Sequence, residues 1–141
     1  MVTIKRTVWT FLFICVTLSA LGCASSGVSK AIGPNDLPSL AGKWAGSLSL
    51  PSGQNAYGTM EMSPNGDYIV QASGFSAQGK AQVKDGNLLL MPSATSGGGG
   101  AVTGPRSSVA SLSERSDGGL VLTGSGHSAQ GPFNFEVSRR K

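Results

Sequence analysis

Tyr57-Gly58-Thr59-Met60-Glu61-Met62 runs into Ser63-Pro64-Asn65-Gly66 and out again through Asp67-Tyr68-Ile69-Val70-Gln71-Ala72-Ser73. Two short runs carrying spaced apolar residues flank a cluster of turn formers, which is the pattern of an antiparallel hairpin. Lys84-Asp85-Gly86-Asn87 and Ser116-Asp117-Gly118-Gly119 repeat the punctuation, each supplying residues that tolerate positive φ in a tight reversal. From Leu40 onward no segment keeps a 3.6-residue period long enough for a helix. The spacing predicts eight strands: Lys43–Leu50, Tyr57–Met62, Asp67–Ser73, Gly79–Lys84, Asn87–Pro92, Ser107–Ser113, Gly119–Gly124 and Pro132–Ser138.

Tight turns make neighbours antiparallel, so the chain goes up and down. Tyr57-Met60-Met62 and Phe133-Phe135-Val137 read as apolar faces of sheets with one wet side. Leu88-Leu89-Leu90-Met91 is apolar throughout, which suits a strand covered on both sides or one leading into a ligand-facing wall. Closing the sheet removes unpaired edges, so the expected fold class is all-β: a single small antiparallel up-and-down barrel of about eight strands. Ser73-Gly74-Phe75-Ser76-Ala77-Gln78-Gly79 recurs with one change, His for Phe, as Ser125-Gly126-His127-Ser128-Ala129-Gln130-Gly131. The expectation is two equivalent loops on related hairpins, with Phe75 and His127 as candidate loop contacts. Gly97-Gly98-Gly99-Gly100 lies in the longest insertion and should be mobile, and it lacks the Lys-Ser/Thr ending of a phosphate loop.

The start of the chain reads differently. Lys5 and Arg6 precede an uncharged apolar run from Thr7 to Leu21, shorter than the roughly 20 residues a spanning helix needs, and small residues surround its end. That is the layout of a secretory signal peptide. Ala20-Leu21-Gly22-Cys23 resembles the lipobox of bacterial lipoproteins, with Ala20 and Leu21 in the reverse of the usual order. The resemblance implies cleavage between Gly22 and Cys23 and acylation of the Cys23 thiol. With Ala24 rather than Asp in second place, it further implies outer-membrane sorting, facing the periplasm. The expected organisation is therefore a signal peptide over 1–22, a lipidated flexible tether over 23–39 and the barrel domain over 40–141. A flexible tether of about 16 residues would reach on the order of 20–25 Å.

Leu40-Ala41-Gly42-Lys43-Trp44-Ala45-Gly46 resembles the opening of lipocalin-like barrels, in which Gly-x-Trp begins the first strand and the Trp closes one barrel end. The resemblance implies a barrel plug at Trp44, with a partner contact as the alternative role.

The rest of the chemistry is sparse. The two cysteines are Cys15 and Cys23, and the first leaves with the signal, so the mature domain has no disulfide. Lys5 and Arg6 leave too, taking two of the chain's +4 net charges, and the remaining bases are scattered rather than gathered into a nucleic-acid patch. His127 is the sole histidine and no acid lies in its loop, which argues against a nucleophile triad and against a metal centre. Asp67, Asp85 and Asp117 each sit in a turn, where Asp has a local backbone role. The expectation is a non-catalytic protein without cofactor or metal, held on the membrane by its lipid.

Two classes of function follow: a binding or assembly module for an envelope protein partner, or a carrier of a small apolar ligand. Inhibition of a secreted hydrolase is a third, by analogy of fold alone. Aromatic residues make up only 6% of the chain, which favours an interior filled by its own side chains and hence the protein partner. A continuous apolar cavity would reverse that order. Cys23→Ala is expected to abolish membrane attachment, because stable anchoring takes two or more acyl chains. Persistence of the variant in carbonate-washed membranes would overturn the lipoprotein reading.

Overall fold

The computed structural model describes residues 27–96, 107–128 and 131–139. Nine strands form one sheet. They are β1 (Val28–Lys30), β2 (Gly42–Ser49), β3 (Asn55–Met62), β4 (Asp67–Ala72), β5 (Phe75–Lys84), β6 (Asn87–Ser96), β7 (Ser108–Glu114), β8 (Leu120–Ser128) and β9 (Gly131–Arg139). A single turn of 3-10 helix spans Leu37–Leu40. From β2 to β9 each strand pairs antiparallel with the next, and β9 returns to β2, with Ala45 opposite Ser138 and Ser49 opposite Asn134. The result is a closed up-and-down barrel of eight strands with β1 added outside the ring.

The turns explain the order. At Asp85-Gly86 both residues take positive φ, 52° and 77°, the geometry whose twist matches that of the flanking strands. Between β3 and β4, Asn65 accepts a hydrogen bond from the Asp67 amide at 3.1 Å and donates to the Asp67 carboxylate at 2.7 Å. Between β7 and β8, Asp117 accepts from the Gly119 amide at 2.8 Å. Each short polar side chain locks the reversal that its spacing predicts.

Alternation then sorts the side chains. Trp44, Met60, Met62, Leu88 and Leu122 are buried in the lower core. Tyr57 does not share that face: it stands an odd number of residues from Met60 and is 72% exposed on the outer wall. Leu88 and Leu90 point inward, while Leu89 and Met91 are half-buried on the outside.

Two further expectations are corrected. Residues 28–39 are not a free tether. β1 lies along β7, with Val28 opposite Glu114 and Lys30 opposite Leu112, Ile32 is 3% exposed, and the Ile32 amide donates to Gly86 O at 2.9 Å. β6 pairs with β7 only from Leu88 to Leu90, which leaves the lower edge of β7 for β1 to occupy. The two seven-residue repeats are not equivalent loops either. In the first the reversal falls at Ser73-Gly74 and the strand starts at Phe75, whereas in the second the strand continues to Ser128, opposite Gly131. Gly97–Gly100, Gly22, Cys23 and the signal segment lie outside the described residues.

Closing the ring brings backbones close at two inward glycines. Gly46 and Gly58 face each other across β2 and β3. A Cβ at Gly46 would sit 1.9 Å from Glu136 O, and one at Gly58 would sit 2.2 Å from Gln71 O. These positions work as the kinks that let a small barrel curl shut. Gly46→Ala should therefore destabilise the fold by about 3 kcal/mol, since the β2–β9 seam must open to admit the methyl. Gly53→Ala, where nothing lies within 4 Å, should cost only the roughly 1 kcal/mol of its positive φ. Urea midpoints of the two variants compare them, and equal losses would show that strand curvature does not depend on Gly46.

Candidate functional site

One end of the barrel is closed. The segment from Ile32 to Ala41 crosses beneath it, steadied by the Gly33 amide donating to the Asp36 carboxylate at 2.8 Å and the Ser39 hydroxyl donating to Asp36 O at 2.6 Å. Trp44, 1% exposed, donates its indole N–H to Leu40 O at 3.0 Å. Arg139, at the end of the last strand, lies over the Trp44 ring with its guanidinium carbon 4.9 Å from the centroid. It also donates to Ala41 O and, at 2.8 Å, to Ser39 O. Every donor position of the guanidinium that is used serves the floor.

The other end holds a cavity of about 570 Å³. It begins above Met60, Tyr68 and Leu90 and reaches the rim at Leu50–Gln54 and Ser73-Gly74. The space exists because inward positions of the upper half carry small residues: Gly46, Ala56, Gly58, Ala72, Ala77 and Ser108. Phe133 and Phe135 enter it from β9. Their rings reach over Gly126 and Gly124 of β8, where a Cβ would approach within 2.6 and 2.3 Å of ring carbons. An interior filled by its own side chains, the expectation from the low aromatic content, is thus corrected: the floor half is filled and the rim half is hollow.

Among the sequence-predicted residues, Phe75 is half-buried and lines the cavity near the rim. His127 stands exposed on β8, opposite Pro132, away from the interior. The structure does not bring the two together. Trp44 lies below the cavity, in the floor.

Tyr68 escaped the sequence reading as a site residue. It is 4% exposed, lines the cavity, and its hydroxyl makes no hydrogen bond to the described residues. Burial pushes its phenol up to about 12. Ser108, 7% exposed, also lines the cavity with an unpartnered hydroxyl. The alternation rule would have placed Tyr68 inward beside Met60 and Met62, but nothing in a single sequence marks its hydroxyl as unpaired.

Charge stays outside. Lys80 pairs with Asp67 at 3.1 Å, holding that carboxyl below its ordinary range together with the Asn65 hydrogen bond, and Arg115 pairs with Glu136 at 3.7 Å. No charged residue lines the cavity among the described residues. Nor do those residues contain a cluster of three or more potential metal ligands, or a helix long and apolar enough to cross a membrane. Compared with known proteins, the chain matches no family model, no curated protein and no solved structure.

The Tyr68 shift has a consequence for stability. The unfolded chain releases this proton near pH 10 and the folded chain holds it to about 12. The contribution is complete below pH 10 and is lost as pH rises through that window, by an amount on the order of 2–3 kcal/mol. In a Tyr57→Phe background Tyr68 is the sole phenol, so phenolate absorbance follows it alone. Native titration near pH 10 would show that the hydroxyl is solvated.

Proposed function

We propose that this protein is a lipid-anchored, non-catalytic barrel that carries a small, largely apolar ligand inside its upper half. The observation that carries the reading is the cavity of about 570 Å³. Small-molecule sites occupy roughly 300–1,000 Å³, mostly apolar with a few polar groups, and an eight-stranded barrel is wide enough for one such ligand. This reverses the order that composition alone suggests, in which a protein partner comes first. The Gly42-x-Trp44 opening supports the same reading by its likeness to lipocalin-like barrels, and the Ala20-Leu21-Gly22-Cys23 run supports the membrane anchor.

The test uses the Cys23→Ala chain, which keeps the whole barrel and lacks acyl chains that would compete for an apolar probe. Diphenylhexatriene, an uncharged hydrocarbon that fluoresces in dry surroundings, should bind saturably with one site per chain. Ala77→Trp, which places an indole in the cavity wall, should weaken that binding by about tenfold or more while leaving the melting transition in place. Absence of saturable binding, or binding indifferent to Ala77→Trp, would overturn the ligand reading.

A further inference from the structure

We propose that the cavity selects uncharged amphiphiles bearing a hydroxyl or carbonyl group, and that the Tyr68 hydroxyl is the group that holds them. This rests on the ligand reading above and narrows it to a chemical class. Two independent observations lead there. The first is the composition of the wall: Leu48, Met60, Val70, Leu90, Phe133 and Val137 supply the apolar surface, and no described lining residue carries a charge. An ionised carboxylate or ammonium buried against such a wall would lose its water with no counter-charge to replace it. Apolar tails are accommodated and charged heads are rejected.

The second is a hydroxyl in the cavity wall that no described residue engages. Tyr68 is the deepest of the three residues that β4 contributes to the cavity, with Val70 and Ala72 following toward the rim. It is 4% exposed, and its hydroxyl has no hydrogen-bond partner among the described residues. Among the described residues Arg115 Nε is the one fully occluded side-chain polar atom without a partner, so the Tyr68 hydroxyl keeps accessible surface and is open to a partner from within the cavity. A phenol donates one hydrogen bond and accepts others, which fits an alcohol, ester or amide and not an alkane. Ser108 on β7, 7% exposed, lines the cavity and offers a second hydroxyl without a partner among the described residues. A phenol is a neutral donor throughout the ordinary pH range, and burial pushes this one up further, to about 12.

The experiment displaces diphenylhexatriene from the Cys23→Ala chain with dodecan-1-ol and with dodecanoate at pH 8, where the acid is ionised. The alcohol should displace the probe at a concentration at least about tenfold lower than the carboxylate. Tyr68→Phe, which removes one oxygen and keeps the ring, should bind the hydrocarbon probe as the parent does and lose about five- to tenfold in affinity for dodecan-1-ol alone. Equal or better displacement by dodecanoate would overturn the selectivity. Unchanged dodecan-1-ol affinity in Tyr68→Phe would overturn the role of the hydroxyl. Failure of the parent chain to bind diphenylhexatriene would sink the ligand reading itself and this proposal with it. The alcohol–carboxylate comparison needs no variant, so the selectivity is decided even where Tyr68→Phe folds poorly.

Discussion

Arg139 lies over the Trp44 ring and donates to the carbonyls of Ala41 and Ser39, and the barrel depends on that junction. It joins the last strand, the first strand of the ring and the segment that crosses beneath both. A cation against an indole face is worth about 0.5–2 kcal/mol, more when water is excluded, and here the indole is 1% exposed. Ring closure brings together residues from opposite ends of the domain, so the entropy of a long loop must be offset at this point. The indole N–H to Leu40 O bond completes the floor, leaving Trp44 with a partner for its polar atom as well as its face.

Once the floor is fixed, side-chain size decides what the interior becomes. Leu88, Leu112, Leu122 and Met62 fill the lower half with a buried apolar core. Above them the inward positions shrink to glycine, alanine and serine, and the strands stay the same distance apart because the ladders set their spacing. The missing volume becomes the cavity. The same small residues serve two ends, since Gly46 and Gly58 allow the backbone approach that curls the sheet and also contribute no side chain to the interior.

Much of this was legible in the sequence. The turn clusters at 63–66, 84–87 and 116–119 place three of the reversals, and the eight strands of the ring overlap the eight read from spacing. Local chemistry was enough there because positive φ and alternation are local properties. What was not legible depends on neighbours distant in sequence. Val28–Lys30 is exposed and unremarkable, and it is a strand only because β6 leaves part of the β7 edge unpaired. Tyr57 faces outward because it lies three residues from Met60, and Gly58 and Thr59 between them leave the period of two intact. The cavity departs from expectation for a physical reason: scarcity of large side chains suggests lack of a lining, whereas in a closed ring it is what leaves the space. The seven-residue repeat shows the same limit, since identical turn-prone residues reverse the chain at different points according to the register around them.

The placement of β1 bears on how the protein would stand at a bilayer. Val28 pairs with Glu114 at the floor end, opposite the rim of the cavity. Only Ala24 to Gly27 then separate Cys23 from Val28, a link of at most about 18 Å even when fully extended. A lipid on Cys23 would therefore plant the floor toward the membrane and turn the mouth outward into the aqueous compartment. If the cavity holds a ligand as proposed, that ligand would enter and leave on the side away from the bilayer, and not directly from the leaflet beneath.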